Sequence, residues 1–149
     1  MATEPFGERW TCPRCGRSFA ARNQTHACRA GDPPALERHL AGRPAGVVDA
    51  FWAVVDAARA CGPLEVVPEK TRVALHARMS FAALMPRRRW LDGHVVLARR
   101  LKSPRFRRVE TFSPRNHLHA FRLTGPEEVD AEVRGWLAEA YEVGMQRHL

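Results

Sequence analysis

The feature that most constrains the fold of this 149-residue chain is a change in the spacing of its apolar residues. Between residues 45 and 60 they recur every three or four positions, as on one face of an amphipathic helix. From 64 to 123 the spacing shortens to two, which is typical of strands with one buried face. Helical spacing returns after residue 126. Helices, a run of strands and a final helix predict an α+β domain, with a largely antiparallel sheet packed by helices.

Proline and glycine set the expected helix bounds. A short helix is predicted over Ala35–Leu40, and a second helix opens at Pro44 and ends before Gly62. The final helix is expected to open at Gly125-Pro126-Glu127-Glu128, where proline and acidic residues suit a helix N-terminus.

The strand region contains one ambiguous segment. Residues 72–85 alternate well enough for either one half-buried strand or a bent pair of strands. Asp92-Gly93 reads as a bulge or tight turn within a strand over Trp90–Arg99, and a hairpin is predicted around Ser113–Asn116. The residues expected to share the buried face of 72–85 are Val73, Leu75, Ala77, Met79, Phe81 and Ala83.

The chain begins with a zinc-ligand pattern, C-x2-C-x10-H-x-C, formed by Cys12, Cys15, His26 and Cys28. Zinc in structural sites takes four cysteine or histidine ligands in a tetrahedron, and four protein ligands leave no open position for catalysis. The spacing predicts a small zinc knuckle with an N-terminal tail over residues 1–31, holding structural zinc, followed by the α+β domain over 32–149. His39 competes with His26 as the fourth ligand.

Charge is distributed unevenly along the chain. The formal net charge is +8, and residues 64–125 alone carry +10, whereas residues 126–149 carry −4. A compositional bias toward arginine would raise its frequency everywhere. A basic block beside an acidic segment therefore favours one basic region on the folded surface.

Two functions fit these charges. A nucleic acid or another polyanion would contact the basic region, with Trp90 or Phe106 stacking on bases. Alternatively, His76, Arg78, His117 and His119 would line a polar groove on the exposed side of the sheet, for a small molecule or a protein partner. Solvated turns and ordinary surface histidines are the plainer interpretation of both sets. The further candidate contacts are Lys70, Arg72, Arg87, Arg88, Arg89, Arg105, Arg107 and Arg108.

Several classes of protein are not indicated. The sequence contains no nucleophile elbow, phosphate-binding loop or dinucleotide motif, so no catalytic residue is assigned and an enzyme is not the preferred reading. The first residues resemble no signal peptide, and no apolar run is long enough for a membrane span. A cytoplasmic protein without membrane contact is expected.

Long stretches of the chain resemble a bacterial family known only as domain-of-unknown-function family 5655. The likeness runs from about Trp10 to the end, and it implies a zinc knuckle fused to a compact α+β domain but no activity. The matching strings are C-P-R-C-G-R-S-F with N-Q-T-H-A-C, E-V-V-P-E-K-T-R-V-A-L-H-A-R-M-S-F-A, R-R-R-W-L-D-G-H-V-V-L-A-R-R and H-L-H-A-F-R-L.

Overall fold

A six-stranded antiparallel sheet with three helices confirms the predicted α+β class. The structure is a computed structural model that describes residues 10–11, 18–19 and 35–147. Its elements are β1 (Trp10–Thr11), β2 (Ser18–Phe19), α1 (Ala35–Leu40), α2 (Ala45–Arg59), β3 (Glu65–Pro68), β4 (Val73–His76), β5 (Ser80–Pro86), β6 (Leu91–Leu97), β7 (Arg108–Ser113), β8 (Asn116–Leu123), a 3₁₀ turn (Pro126–Glu128) and α3 (Ala131–Gly144).

The strands follow the order β3-β4-β5-β6-β8-β7 in the large sheet, and every neighbouring pair is antiparallel. The predicted hairpin is the β7–β8 pair, which turns through Pro114 and Arg115. β8 inserts between β6 and β7, so β7 forms an edge of the sheet. Strands β1 and β2 pair separately.

Both long helices pack on one face of the sheet. The apolar stripe of α2, including Val47, Phe51 and Val54, lies in one buried cluster with Trp136 and Leu137 of α3. This packing confirms the helical periodicity read from the sequence. We call this side the helix face; its inward-pointing strand residues are Val73, Leu75, Leu84, Leu91, Val95, Leu97, Phe121 and Leu123.

The structure corrects the set of residues predicted to share the buried face of 72–85. The segment is the bent pair rather than one strand, because a bend over residues 77–79 and a register shift at Leu75/His76 separate β4 from β5. Met79, expected to be buried, lies in the bend and is 53% exposed. Val73 pairs with Leu84, so Leu84 rather than Ala83 shares its face.

Gly93 lies in regular strand, contrary to the predicted bulge or turn. It pairs with Leu84 and Phe121 within an uninterrupted register of β6. A Cβ at this position would come within 2.9 Å of Phe121 Cζ. The glycine is therefore needed for close packing of the core and not for a change of chain direction.

The final helix begins later than predicted. Residues 126–128 form only a 3₁₀ turn, and α3 starts at Ala131. The Asp130 carboxylate accepts a hydrogen bond from the backbone nitrogen of Val133 at 3.1 Å, which is the usual N-cap interaction. Because Asp130 provides the N-cap, α3 begins after it and not at the proline and acidic residues upstream. None of the helices among the described residues is long and apolar enough to cross a bilayer.

Candidate functional site

Antiparallel pairing brings most of the predicted basic residues to one end of the large sheet. At this end β5 finishes and β6 begins, and Leu91 pairs with both Pro86 and Leu123, the last residue of β8. β4 also begins here, since Val73 pairs with Leu84. We call this region the basic end; it comprises Lys70, Arg72, Arg87, Arg88, Arg89, Trp90, Arg107, Arg108 and Arg122.

A stacked ion cluster organises the centre of the basic end. The Arg122 guanidinium lies over the Trp90 ring, 3.9 Å from its centroid, and donates to Asp92 at 2.9 Å. Arg87 donates to the other oxygen of Asp92 at 3.2 Å. Partial burial would raise the pKa of Asp92, but the hydrogen bonds from Arg122 and Arg87 outweigh it and hold the pKa below its usual value. The carboxylate therefore fixes two cations and one aromatic ring.

Other cations of the basic end are not committed in this way. Arg88 and Arg89 are exposed, and neither makes an ion pair or side-chain hydrogen bond with a described residue. They line a pocket of about 460 Å³ together with Arg87, Trp90 and Asp92. Their charge is therefore available to a ligand.

Arg72 and Arg108, by contrast, each have a carboxylate partner. Arg72 pairs with Glu69 at 3.0 Å, and Arg108 pairs with Glu110 at 2.8 Å. Exposed pairs of this kind are weak, so these two arginines can exchange their partners for phosphate groups at little cost.

His94 lies between the two paired arginines on the sheet face opposite the helices. It pairs across the strands with Ala83 and Ala120, and Ala120 pairs in turn with Arg108. Burial, followed by the nearby charges of Arg72 and Arg108, lowers the pKa of His94 to about 4. His94 is therefore neutral at pH 7 and adds no positive charge. His94 lies in a segment that the sequence predicts as a strand, but no motif marked it as part of a site.

Two buried nitrogen donors at this end, Arg43 Nε and Trp90 Nε1, make no hydrogen bond of good geometry with a described residue, although the Trp90 indole lies close enough to the Asp92 carboxylate to help lower its pKa. Arg43 belongs to this end because α2 starts beside the end of β8. A Cβ on Gly46 would lie 3.3 Å from the carbonyl oxygen of Thr124. Buried donors are nearly always satisfied, so Arg43 Nε is consistent with a missing acceptor. No motif marked Arg43 in the sequence.

The predicted histidine groove does not form from its four residues. His117 and His119 are 7% and 0% exposed and lie on the helix face, since they pair with Leu97 and Val95 of the core. Alternation places His76 on the opposite face, because its neighbour Leu75 points into the core. Arg78 is exposed in the bend after β4. The expectation that His117 and His119 lie on the exposed side of the sheet is wrong.

Hydrogen bonds explain why two histidines can be buried there. His119 Nε2 accepts from the backbone nitrogen of Leu101 at 2.9 Å, so its Nδ1–H donates to the His117 carbonyl, also at 2.9 Å. His117 Nε2 donates to the Pro114 carbonyl at 3.1 Å. Each ring nitrogen of the two histidines thus has a hydrogen-bond partner.

The predicted zinc ligands Cys12, Cys15, His26 and Cys28 lie outside the described residues. The paired strands β1 and β2 flank residues 12–17, with Trp10 opposite Phe19. Within the described ranges, no group of three or more histidine, cysteine or acidic side chains is arranged to hold a metal ion.

Comparison with known proteins locates the domain within a family. A family model described as a domain of unknown function (DUF5655) matches residues 36–144. The chain belongs to this family. The DUF5655 match begins at α1, so it excludes the residues of the predicted zinc knuckle. No curated protein and no solved structure matches the chain.

Proposed function

We propose that this DUF5655 protein binds nucleic acid through the basic end. The observation that carries the proposal is the pair Arg88 and Arg89, which are exposed, lack an acidic partner among the described residues and border a pocket of about 460 Å³. Phosphate contacts from arginine supply most of the affinity of non-specific nucleic-acid binding. Two uncommitted arginines in one turn suit consecutive phosphates.

Trp90 favours nucleic acid over a simple polyanion. Its ring lines the same pocket, and Arg122 covers it at 3.9 Å. The Asp92 carboxylate holds Arg122 in place, so the ring is supported before a ligand arrives. A base stacking on the open side of the indole would gain about 1 to 3 kcal/mol. Heparin or polyphosphate has no flat base to make that contact.

We also propose that Cys12, Cys15, His26 and Cys28 bind one structural zinc ion. The ligand spacing supports this, and the β1–β2 pair flanks the first two cysteines as a knuckle requires. The knuckle would add Arg14, Arg17, Arg22 and Arg29 to the basic surface. Metal analysis of the purified chain tests this independently, with one equivalent expected and none after replacement of Cys12 and Cys15 by serine.

Fluorescence polarisation with a labelled single-stranded oligonucleotide tests the nucleic-acid proposal. Replacing Arg88 and Arg89 by glutamine should weaken binding and reduce the slope of log affinity against log salt by about 1.4 to 1.8. The matched control replaces Arg59 and Arg134, which are exposed on the helices and have no side-chain partner among the described residues.

The two double variants carry the same net charge, so a difference between them reports position. Equal losses would reduce the effect to overall charge and contradict the proposal. Wild-type binding without salt dependence would also contradict it. If heparin competes as well as a single-stranded oligonucleotide of equal charge, the site binds polyanions in general and not nucleic acid in particular.

A further inference from the structure

A second concave site lies along the edge strand β7, on the helix face of the sheet. The segment between β6 and β7 has no regular structure, and with β7 it forms a pocket of about 420 Å³. Val109 belongs to the helix face because it pairs with buried His119. We call this pocket the edge groove; it is lined by Arg100, Leu101, Lys102, Ser103, Pro104, Phe106 and Val109.

The irregular segment is fixed at two points near the groove. Arg105 donates to both oxygens of Asp130 at 2.9 and 3.0 Å, and to the carbonyl of Glu128 at 2.9 Å. The backbone nitrogen of Leu101 donates to His119. The groove is therefore shaped before a ligand binds, and binding would cost little ordering entropy.

The floor of the groove is supported by aromatic packing. The Phe106 ring lies 4.4 Å from the Trp136 ring and 4.8 Å from the His119 ring, measured between centroids. Trp136 is buried in the core. The apolar lining is thus continuous with the rigid centre of the domain and cannot collapse to fill the space.

A series of hydrogen bonds orients Arg100, a cation at the rim of the edge groove. The Pro114 carbonyl only accepts, so His117 Nε2 carries the proton and His117 Nδ1 accepts from the Thr111 hydroxyl at 2.9 Å. The Thr111 oxygen in turn accepts from Arg100 Nη1 at 2.7 Å. Arg100 is thereby held by a neutral partner, which leaves its charge uncompensated.

Lys102 supplies a second positive charge to the groove. Neither Lys102 nor Arg100 makes an ion pair with a carboxylate in the described part of the chain. The other side chains of the lining are apolar apart from Ser103, whose hydroxyl donates to Glu132. The groove therefore combines an apolar floor with two available cations.

We propose that the edge groove binds a small organic anion with an apolar body, a carboxylate of medium chain length. The apolar body would cover Phe106 and Val109, while the carboxylate would meet the outward N–H groups of Arg100. Ligand pockets of this size are usually apolar with a few placed polar groups, as this one is. Guanidinium and carboxylate are geometrically matched donors and acceptors. The site is separate from the basic end and does not depend on nucleic-acid binding.

Calorimetric titration of the full chain with octanoate tests the proposal, with the uncharged octanamide and inorganic phosphate as comparison probes. Octanoate should bind, and the other two should bind at least about tenfold more weakly, because each lacks one of the two required features. Arg100→Gln should lower octanoate affinity by about tenfold, and Lys102→Gln by a few-fold. Arg59→Gln, on α2, is the charge-matched control and should bind as the wild type.

Thermal unfolding separates lost binding from lost folding, and Lys102→Gln keeps the test usable if Arg100→Gln unfolds. No octanoate binding by the folded wild type would overturn the proposal. So would equal affinity for octanamide, equal affinity for phosphate, or unchanged affinity in both folded groove variants.

Discussion

The turn after β5 and the segment after β6 are both rich in arginine, yet the structure uses the two sets differently. Arg105 is three-quarters buried at its side chain and contacts two carboxylates, Asp130 and Glu132. Its guanidinium also lies 5.3 Å from the Trp136 ring centroid. Arg88 and Arg89 are exposed and have no such partners among the described residues. Charge density alone therefore does not identify a binding surface. The deciding property is whether each charged side chain already has an acidic partner.

Removal of Arg105 should have the largest effect on the unfolding free energy. Arg105→Ala deletes contacts to two carboxylates and one carbonyl and leaves two like charges near each other, so we expect a loss of about 3 kcal/mol in unfolding free energy. Arg88→Ala with Arg89→Ala should change it by less than about 0.5 kcal/mol. Urea unfolding followed by circular dichroism measures both. Similar values for the two variants would mean that the contacts of Arg105 add no stability beyond that of the unpaired Arg88 and Arg89.

His94 provides the next largest effect because burial, followed by the charges of Arg72 and Arg108, lowers its pKa. Its folded pKa of about 4 is below the ordinary value of 6.5, so the unfolded chain binds the proton first as pH falls. This group should lower the unfolding free energy by about 2.5 kcal/mol between pH 7 and pH 4.5, with the loss levelling off below pH 4.

His94→Gln measures that contribution directly. The variant should lose less stability than the wild type over the same pH range, as read from chemical unfolding at each pH. Parallel curves would show that neither burial nor the charges of Arg72 and Arg108 lower the pKa of His94.

Asp92 distinguishes two groups of arginines at the basic end. It forms ion pairs with Arg87 and Arg122, whereas Arg88 and Arg89 stay available to a ligand. Asp92→Asn should cost about 1 kcal/mol near neutral pH, since two charge-assisted hydrogen bonds weaken. The folded pKa of Asp92 is lowered, so its contribution is present above the unfolded value of 3.8 and disappears as pH falls through the folded value. The stability gap between variant and wild type should therefore close below about pH 4; a gap that persists there would exclude ionisation as its origin.

The smallest predicted effect distinguishes two adjacent arginines. Arg88→Gln should weaken oligonucleotide binding about two- to threefold more than Arg87→Gln at low salt, because Arg87 already pairs with Asp92. Polarisation titrations of the single variants measure the ratio. A larger loss from Arg87 would mean that the ion cluster itself contacts the ligand.

Sequence periodicity predicted the elements that depend on local patterns. The apolar stripe of α2 and the β7–β8 hairpin follow from spacing and turn residues, and both are confirmed. The errors fall where distant residues decide. A bend at 77–79 reversed the face of Ala83, and packing against Phe121 explains Gly93.

The candidate sites depended even more on distant partners. The clustering of Arg87–Arg89 with Trp90 is local and was visible in the sequence. The pairing of Arg105 with Asp130 spans 25 positions, and the burial of His119 depends on Leu101 and Phe106. No periodicity encodes such contacts. The edge groove was missed for the same reason, since no motif joins Arg100 to Thr111 and His117.

The insertion of β8 between β6 and β7 has a consequence for how this domain can vary. Because β6 and β8 are direct neighbours, residues 98–115 form an excursion that leaves the sheet and returns to its edge. The excursion carries the edge groove and β7, while the other five strands of the large sheet and both long helices lie outside it. Changes elsewhere in this segment can therefore alter the edge groove without breaking a pairing among the other five strands of the large sheet, as long as Arg105 and Phe106 keep their contacts with Asp130 and Trp136.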